Sequence, residues 1–203
     1  MEMNTKKKRS YTVPVVLIML TFSLIGNVFL YSQHLQNGQD KKQADGLAII
    51  NDGLAAKAHV DAALNALNGL EASTAADRPE LLYKLGQASA DQVDLLAFIV
   101  DARKHTLSPT ISDEQSVNAL QALNSKFAAI GAMSGELTAE DKQAIQSLRT
   151  LYSKLKEQLA SFKLESGDKM VEMSVLTGGS WVDIGLALDQ AIVDAQAGAA
   201  SNG

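Results

Sequence analysis

Between Ser10 and Gln39 the chain carries no Asp, Glu, Lys or Arg, and this run follows directly on Lys6, Lys7, Lys8 and Arg9. Its first two thirds, from Tyr11 to Tyr31, read YTVPVVLIMLTFSLIGNVFLY. At a rise of ~1.5 Å per residue, one helix over that stretch would hold its two tyrosines about 30 Å apart, the thickness of a bilayer's hydrocarbon core. The sequence therefore predicts a membrane-spanning helix over residues 11–32, in contact with lipid, with Tyr11 and Tyr31 at the two interfaces. A cleaved signal peptide fits less well: its apolar core is only ~7–15 residues, and the exit FLYSQHLQNGQD has no small-x-small cleavage pattern. Pro14 lies in the first turn, where a missing N–H costs little. Thr21, Ser23, Gly26 and Asn27 interrupt the apolar run; a lone span tolerates them, or the last three face a second membrane helix.

Orientation follows from the basic flank. Lys6, Lys7, Lys8 and Arg9 precede the span, and no Lys or Arg follows until Lys41 and Lys42, so the positive-inside rule leaves the N-terminus in the cytoplasm. The expected division is a cytoplasmic basic tail (1–10), a signal-anchor helix (11–32), an extracytoplasmic domain (33–197) and a disordered tail (198–203). The first 33 residues carry a net charge of +3 and the remainder −8. An acidic exported domain argues against nucleic acid as a partner and against docking on anionic lipid. The chain has no cysteine, which excludes an acylated lipoprotein anchor and fits an exported domain built without disulfides.

Beyond the anchor, the abundance of Ala, Leu, Gln, Lys, Asp and Glu and the scarcity of strand-like alternation predict an all-α domain. Asp40 to Leu70 reads as a first helix with Leu47, Ile50, Leu54, Val60, Leu64 and Leu67 on its apolar side. Asn37, Gly38 and Gly46 leave open whether it continues the membrane helix. Glu71 to Arg78 reads as a connection, with Asp77 the N-cap of a second helix and Pro79 in its first turn. That second helix, Glu80 to Lys104, carries a seam of Leu81, Leu85, Ala88, Gln92, Leu95 and Ile99. Leu82, Leu96 and Val100 widen it from a coiled-coil seam toward the stripe of a globular bundle. Arg103, Lys104 and His105 suit its C-terminal end. A third helix starts near Ser112 and runs through Val117, Leu120, Leu123, Phe127 and Ile130 to Gly131 or Gly135. Thr138 caps a fourth, with Glu140 and Asp141 in the first turn and a seam of Ile145, Leu148, Tyr152, Leu155, Leu159 and Phe162; Gly167 is the expected C-cap. Lys169 to Thr177 reads as a short helix aligning Met170, Met173 and Thr177, or as a strand in which Val171, Met173 and Val175 alternate, the helix being preferred. Ser180 caps a short terminal helix whose apolar face is Trp181, Ile184, Leu188 and Ile192. Four main helices and a short fifth form an up-and-down bundle outside the membrane.

Catalytic chemistry has little to stand on. His34, His59 and His105 lack a His or Glu at i+3 or i+4, so no metal site is expected, nor any other cofactor, and the histidines read as surface or capping groups. There is no Cys and no GxSxG, and Gly178 and Gly179 lack the lysine and spacing of a phosphate loop. Asp91 with Asp94 reads as a solvated face, and Glu140 with Asp141 as helix-dipole complementarity. Trp181, the single tryptophan, either buries itself against the core or, left exposed beside the two glycines, offers a contact to a partner.

The order of basic tail, single span and exported amphipathic helices resembles the N-terminal region of YpeB-type spore germination proteins. The segment GELTAEDKQAIQSLRTLYSKLKEQL, Gly135 to Leu159, is similar in style to a helix of that region. Apolar seams without catalytic groups lead to the expectation of a noncatalytic envelope protein whose exported helices bind another protein, in cell-wall or sporulation processes of a Gram-positive bacterium. A sensor-like ectodomain that binds a ligand and signals through a partner is the alternative expectation.

Overall fold

The computed structural model describes residues 12–74, 76–90, 92–106, 111–133 and 136–200. Among them every regular element is a helix: α1 (Thr12–Ala72), α2 (Arg78–Ala90), α3 (Gln92–Lys104), α4 (Asp113–Gly131), α5 (Ala139–Leu159), α6 (Lys169–Val175) and α7 (Ser180–Ala200). The chain divides into two compact units, the first ending at Lys42 and the second beginning at Gln43.

The described part of the first unit is the apolar start of α1. Its most apolar stretch of eighteen residues has a mean hydropathy of 2.3 and is long enough to cross a membrane. From Leu17 to Tyr31 every large apolar side chain is at least 54% exposed. The Thr21 hydroxyl donates to the Leu17 carbonyl (2.9 Å), satisfying itself within the helix.

In the second unit the apolar side chains turn inward around one core. The remainder of α1 contributes Gly46, Ile49, Gly53, Ala56, Val60, Ala63, Leu67 and Leu70 at alternating steps of three and four, all of them buried. Of the expected face Ile50, Val60, Leu64 and Leu67 are buried, Leu47 is half-buried and Leu54 is exposed. Half of the true seam is glycine or alanine, because other segments approach the helix closely there. A Cβ at Gly46 would fall on the backbone carbonyl of Glu172 in α6, and one at Gly53 on the Phe162 ring. Gly46 is therefore a packing position inside a helix, and not a break in it.

The expected second helix is helical over its described residues, as α2 up to Ala90 and as α3 from Gln92; residue 91 lies outside the described residues. Its seam survives: Leu85, Ala88, Gln92, Leu95 and Ile99 are buried, joined by Phe98 and Ala102. The two parts serve different neighbours, α2 packing on α4 and α3 on α7. Leu96 and Val100 stay over a third exposed, so the stripe is narrower than its composition implied.

α4 and α5 match expectation most closely, and their starts show why. Ser112 accepts from the Gln115 N–H while the Gln115 side chain accepts from the Ser112 N–H; Thr138 and Asp141 make the same reciprocal pair. α5 ends at Leu159, earlier than expected, and Phe162 reaches the core from the following turn. Gly167 belongs to the loop before α6, not to the end of α5. Its φ of +110° turns its N–H onto Glu172 Oε1 (2.9 Å).

α6 is helical, but Glu172 and Val175 face inward while Met170 is 76% exposed. α7 is the larger correction. It has 21 residues, as many as α5, and packs on α3, α4 and α5, so it is a central member of the core and not a short addition. Ser180 is its first residue and not its cap, and the helix continues into the expected tail as far as Ala200.

Candidate functional site

Two buried polar centres and two surface clefts gather the chemistry-bearing side chains of the second unit. The first centre is His59, 2% exposed, where a surface or capping role was expected. Its Nδ1 lies 2.8 Å from the Ala88 carbonyl and its Nε2 3.0 Å from the Tyr152 hydroxyl. A carbonyl can only accept, so Nδ1 carries the proton, and in the neutral imidazole Nε2 accepts from the tyrosine. The imidazole also meets the Tyr152 ring edge-on at 5.6 Å. Burial pushes the Tyr152 phenol well above its ordinary value, keeping it a neutral donor. The arrangement ties α1, α2 and α5 through one imidazole.

Arg103 and Asp189 form the second centre. The Asp189 carboxylate, 1% exposed, accepts from Arg103 Nη1 and from the Ser116 hydroxyl (2.6 Å). Arg103 Nη2 continues to the Ile111 carbonyl (2.8 Å) and the exposed Asp113 carboxylate (2.6 Å). Burial works against the guanidinium charge, but the hydrogen bonds to Asp113 and Asp189 outweigh it and raise its pKa above the ordinary value. Arg103 is thus more than a cation at a helix end, since it joins α3, α4 and α7. The Ser116 hydroxyl acts here as a donor that helps hold the Asp189 carboxylate in place. Sequence reasoning missed Asp189. Its signal was a carboxylate at i+4 from Gly185 and i−3 from Ile192, on the flank of the apolar face.

A groove of about 450 Å³ lies over this second centre, lined by Leu96, Val100, Lys104 and Val117 along with Arg103 and Asp113. A wider cleft of about 730 Å³ opens among α4, α5 and α7, where Lys126, Gln143, Ser147, Lys154 and Asp194 surround an apolar floor that includes Leu148 and Leu151. Among the described residues no three His, Asp or Glu side chains converge as a metal site would require. Asp94 of α3 and Asp52 of α1 do interact electrostatically. The Asp52 pKa is raised, chiefly by burial, then by the Asp101 and Asp94 charges, with Lys104 opposing.

The residues singled out from sequence fall in three places. Lys6, Lys7, Lys8, Arg9 and Tyr11 lie outside the described residues. Tyr31 is exposed on α1. Trp181 is in the core: it is 2% exposed, its indole N–H donates to the Val175 carbonyl (3.0 Å), and it packs against Phe98 and His105. It is therefore not an exposed partner contact. Glu140 and Asp141 stand in the first turn of α5, with Asp141 engaged in the cap. No protein-family model, curated protein or solved structure matches the chain.

Proposed function

We propose that the chain is a single-pass membrane protein, N-terminus in the cytoplasm, whose exported helical domain is noncatalytic and binds a protein partner. The observation that carries this reading is a contrast in what the apolar side chains do. Those from Leu17 to Tyr31 are exposed along a helix of spanning length, whereas those from Ile49 onward build a core. Exposed apolar surface on that scale calls for a nonaqueous surrounding. Of the buried titratable groups, His59, Asp189 and Glu172, together with the Arg103 side chain, have hydrogen-bonding partners within the domain, as structural groups do.

An up-and-down order of the main helices is part of this reading. It is supported by α1 meeting α2 through Gly69 and Leu81, α2 packing on α4, and α5 returning to α1 through Tyr152 and His59. On the resemblance of the sequence layout to YpeB-type proteins we propose the cell wall or spore of a Gram-positive bacterium as the biological setting. Cross-linking in native membranes tests the partner: one specific adduct is expected, and a monomer free of adducts across growth states would contradict it.

The cleft of about 730 Å³ favours a second reading, a sensor-like domain that takes a small ligand and signals through a partner. A thermal-shift screen of small envelope metabolites should then yield a stabilising ligand whose effect is lost in Lys154→Ala. Absence of any stabilising compound would remove this reading.

A further inference from the structure

We propose that α1 pairs in parallel with the α1 of a second copy of this chain, with Asn27 meeting Asn27 across the pair. This rests on the reading that the segment spans a membrane. Asn27 lies four residues before Tyr31, about 6 Å inside the interface at ~1.5 Å per residue, and so within the hydrocarbon. Its amide, with two N–H donors and a carbonyl acceptor, makes no hydrogen bond among the described residues, unlike Thr21, which bonds its own helix. An amide in hydrocarbon is costly until partnered.

The helix around it is two-faced. Val16, Leu20, Ser23, Asn27, Leu30 and His34 follow one another at steps of four and three, the repeat of a left-handed helix pair. Ile18, Phe22, Ile25 and Phe29 occupy the opposite face and are bulky and wholly apolar, as lipid-facing side chains are. Gly26 borders the first face, and a Cβ there would meet nothing.

A second copy is the occupant that this face specifies. Two identical chains inserted in one orientation are parallel, so each presents Asn27 at the same depth, and an amide complements itself as donor and acceptor. A single Asn in such a seam fixes register as well as adding attraction.

The chain's lack of cysteine makes single-cysteine variants of the full-length protein clean probes. In isolated membranes under oxidation, Leu20→Cys, Ser23→Cys and Leu30→Cys should give disulfide-linked dimers, and Phe22→Cys, Ile25→Cys and Phe29→Cys far fewer. Adding Asn27→Leu to Ser23→Cys should lower the dimer yield at least about three-fold, the scale of one polar interhelical contact, while Asn27→Gln should retain it. Equal yields on both faces, no effect of Asn27→Leu, or an adduct with a different protein would overturn the pairing while leaving the span intact. Release of the chain by alkaline carbonate would instead overturn the span, and the pairing with it.

Discussion

Removing the Asp189 carboxylate strips a partner from Arg103 and from Ser116 in a region almost closed to water. Arg103 keeps the Ile111 carbonyl and Asp113, so it is not wholly stranded. Asp189→Ala should therefore cost about 2–4 kcal/mol, at or below the usual range for breaking a buried pair. Asp113 is the control: its side chain is 93% exposed, and Asp113→Ala should cost less than about 1 kcal/mol in the same urea titration. At the other centre, Tyr152→Phe removes the proton that His59 Nε2 accepts and should lower stability by about 1 kcal/mol. His59→Ala should cost more, because it also leaves the Ala88 carbonyl without the imidazole donor and opens a cavity. Neither centre was legible beforehand. His59 and Asp189 are single polar residues whose partners come from helices far away in sequence, and no local spacing announces such a meeting.

Glycine has opposite consequences at two places along α1. A Cβ at Gly46 collides with the backbone of α6, which cannot move aside as a side-chain tip can, so Gly46→Ala should destabilise the domain by about 1–3 kcal/mol. Gly38 has open space around it, and Gly38→Ala should leave the domain's denaturation midpoint unchanged or raise it slightly. Helices with large apolar residues and reciprocal caps, α4 and α5, could be read from sequence at their starts and along their seams, although α5 stops at Leu159, short of the expected Gly167. On α1 the large buried residues Ile50, Val60, Leu64 and Leu67 could be read, but the small contact positions Gly46, Gly53, Ala56 and Ala63 could not, because hydropathy does not mark them. α7 was underrated for a related reason: its contact with α3 is made by Gly185 against Ala102, a close approach that hydrophobicity does not mark. The acidic side chains of α1 and α3 give a pH signature. The Asp52 pKa is raised in the folded state, so its ionisation opposes folding, and stability is lost as pH rises from the ordinary carboxylate range through the raised value. Asp52→Asn should be the more stable protein at pH 7, with an advantage that disappears below the ordinary carboxylate range; a constant difference across pH would assign the effect to packing.

For the molecule as a whole, a core confined to residues after Gln43 predicts that a fragment from that point folds alone. It should be soluble, helical by circular dichroism and cooperative in unfolding, while the full chain should need detergent. The long apolar helix at the N-terminus was legible from sequence because length, hydropathy and the absence of charge announce it without any partner. What the domain after Gln43 recognises was not, since apolar seams specify a core and leave the outer surface open. The most direct test of the account is protease accessibility of the full-length protein in cells stripped of their wall but with an intact membrane. The account predicts that external protease removes the domain after Gln43 and leaves a short N-terminal piece resistant to alkaline extraction. Full protection of the domain, or release of the uncut chain by alkaline carbonate, would contradict it.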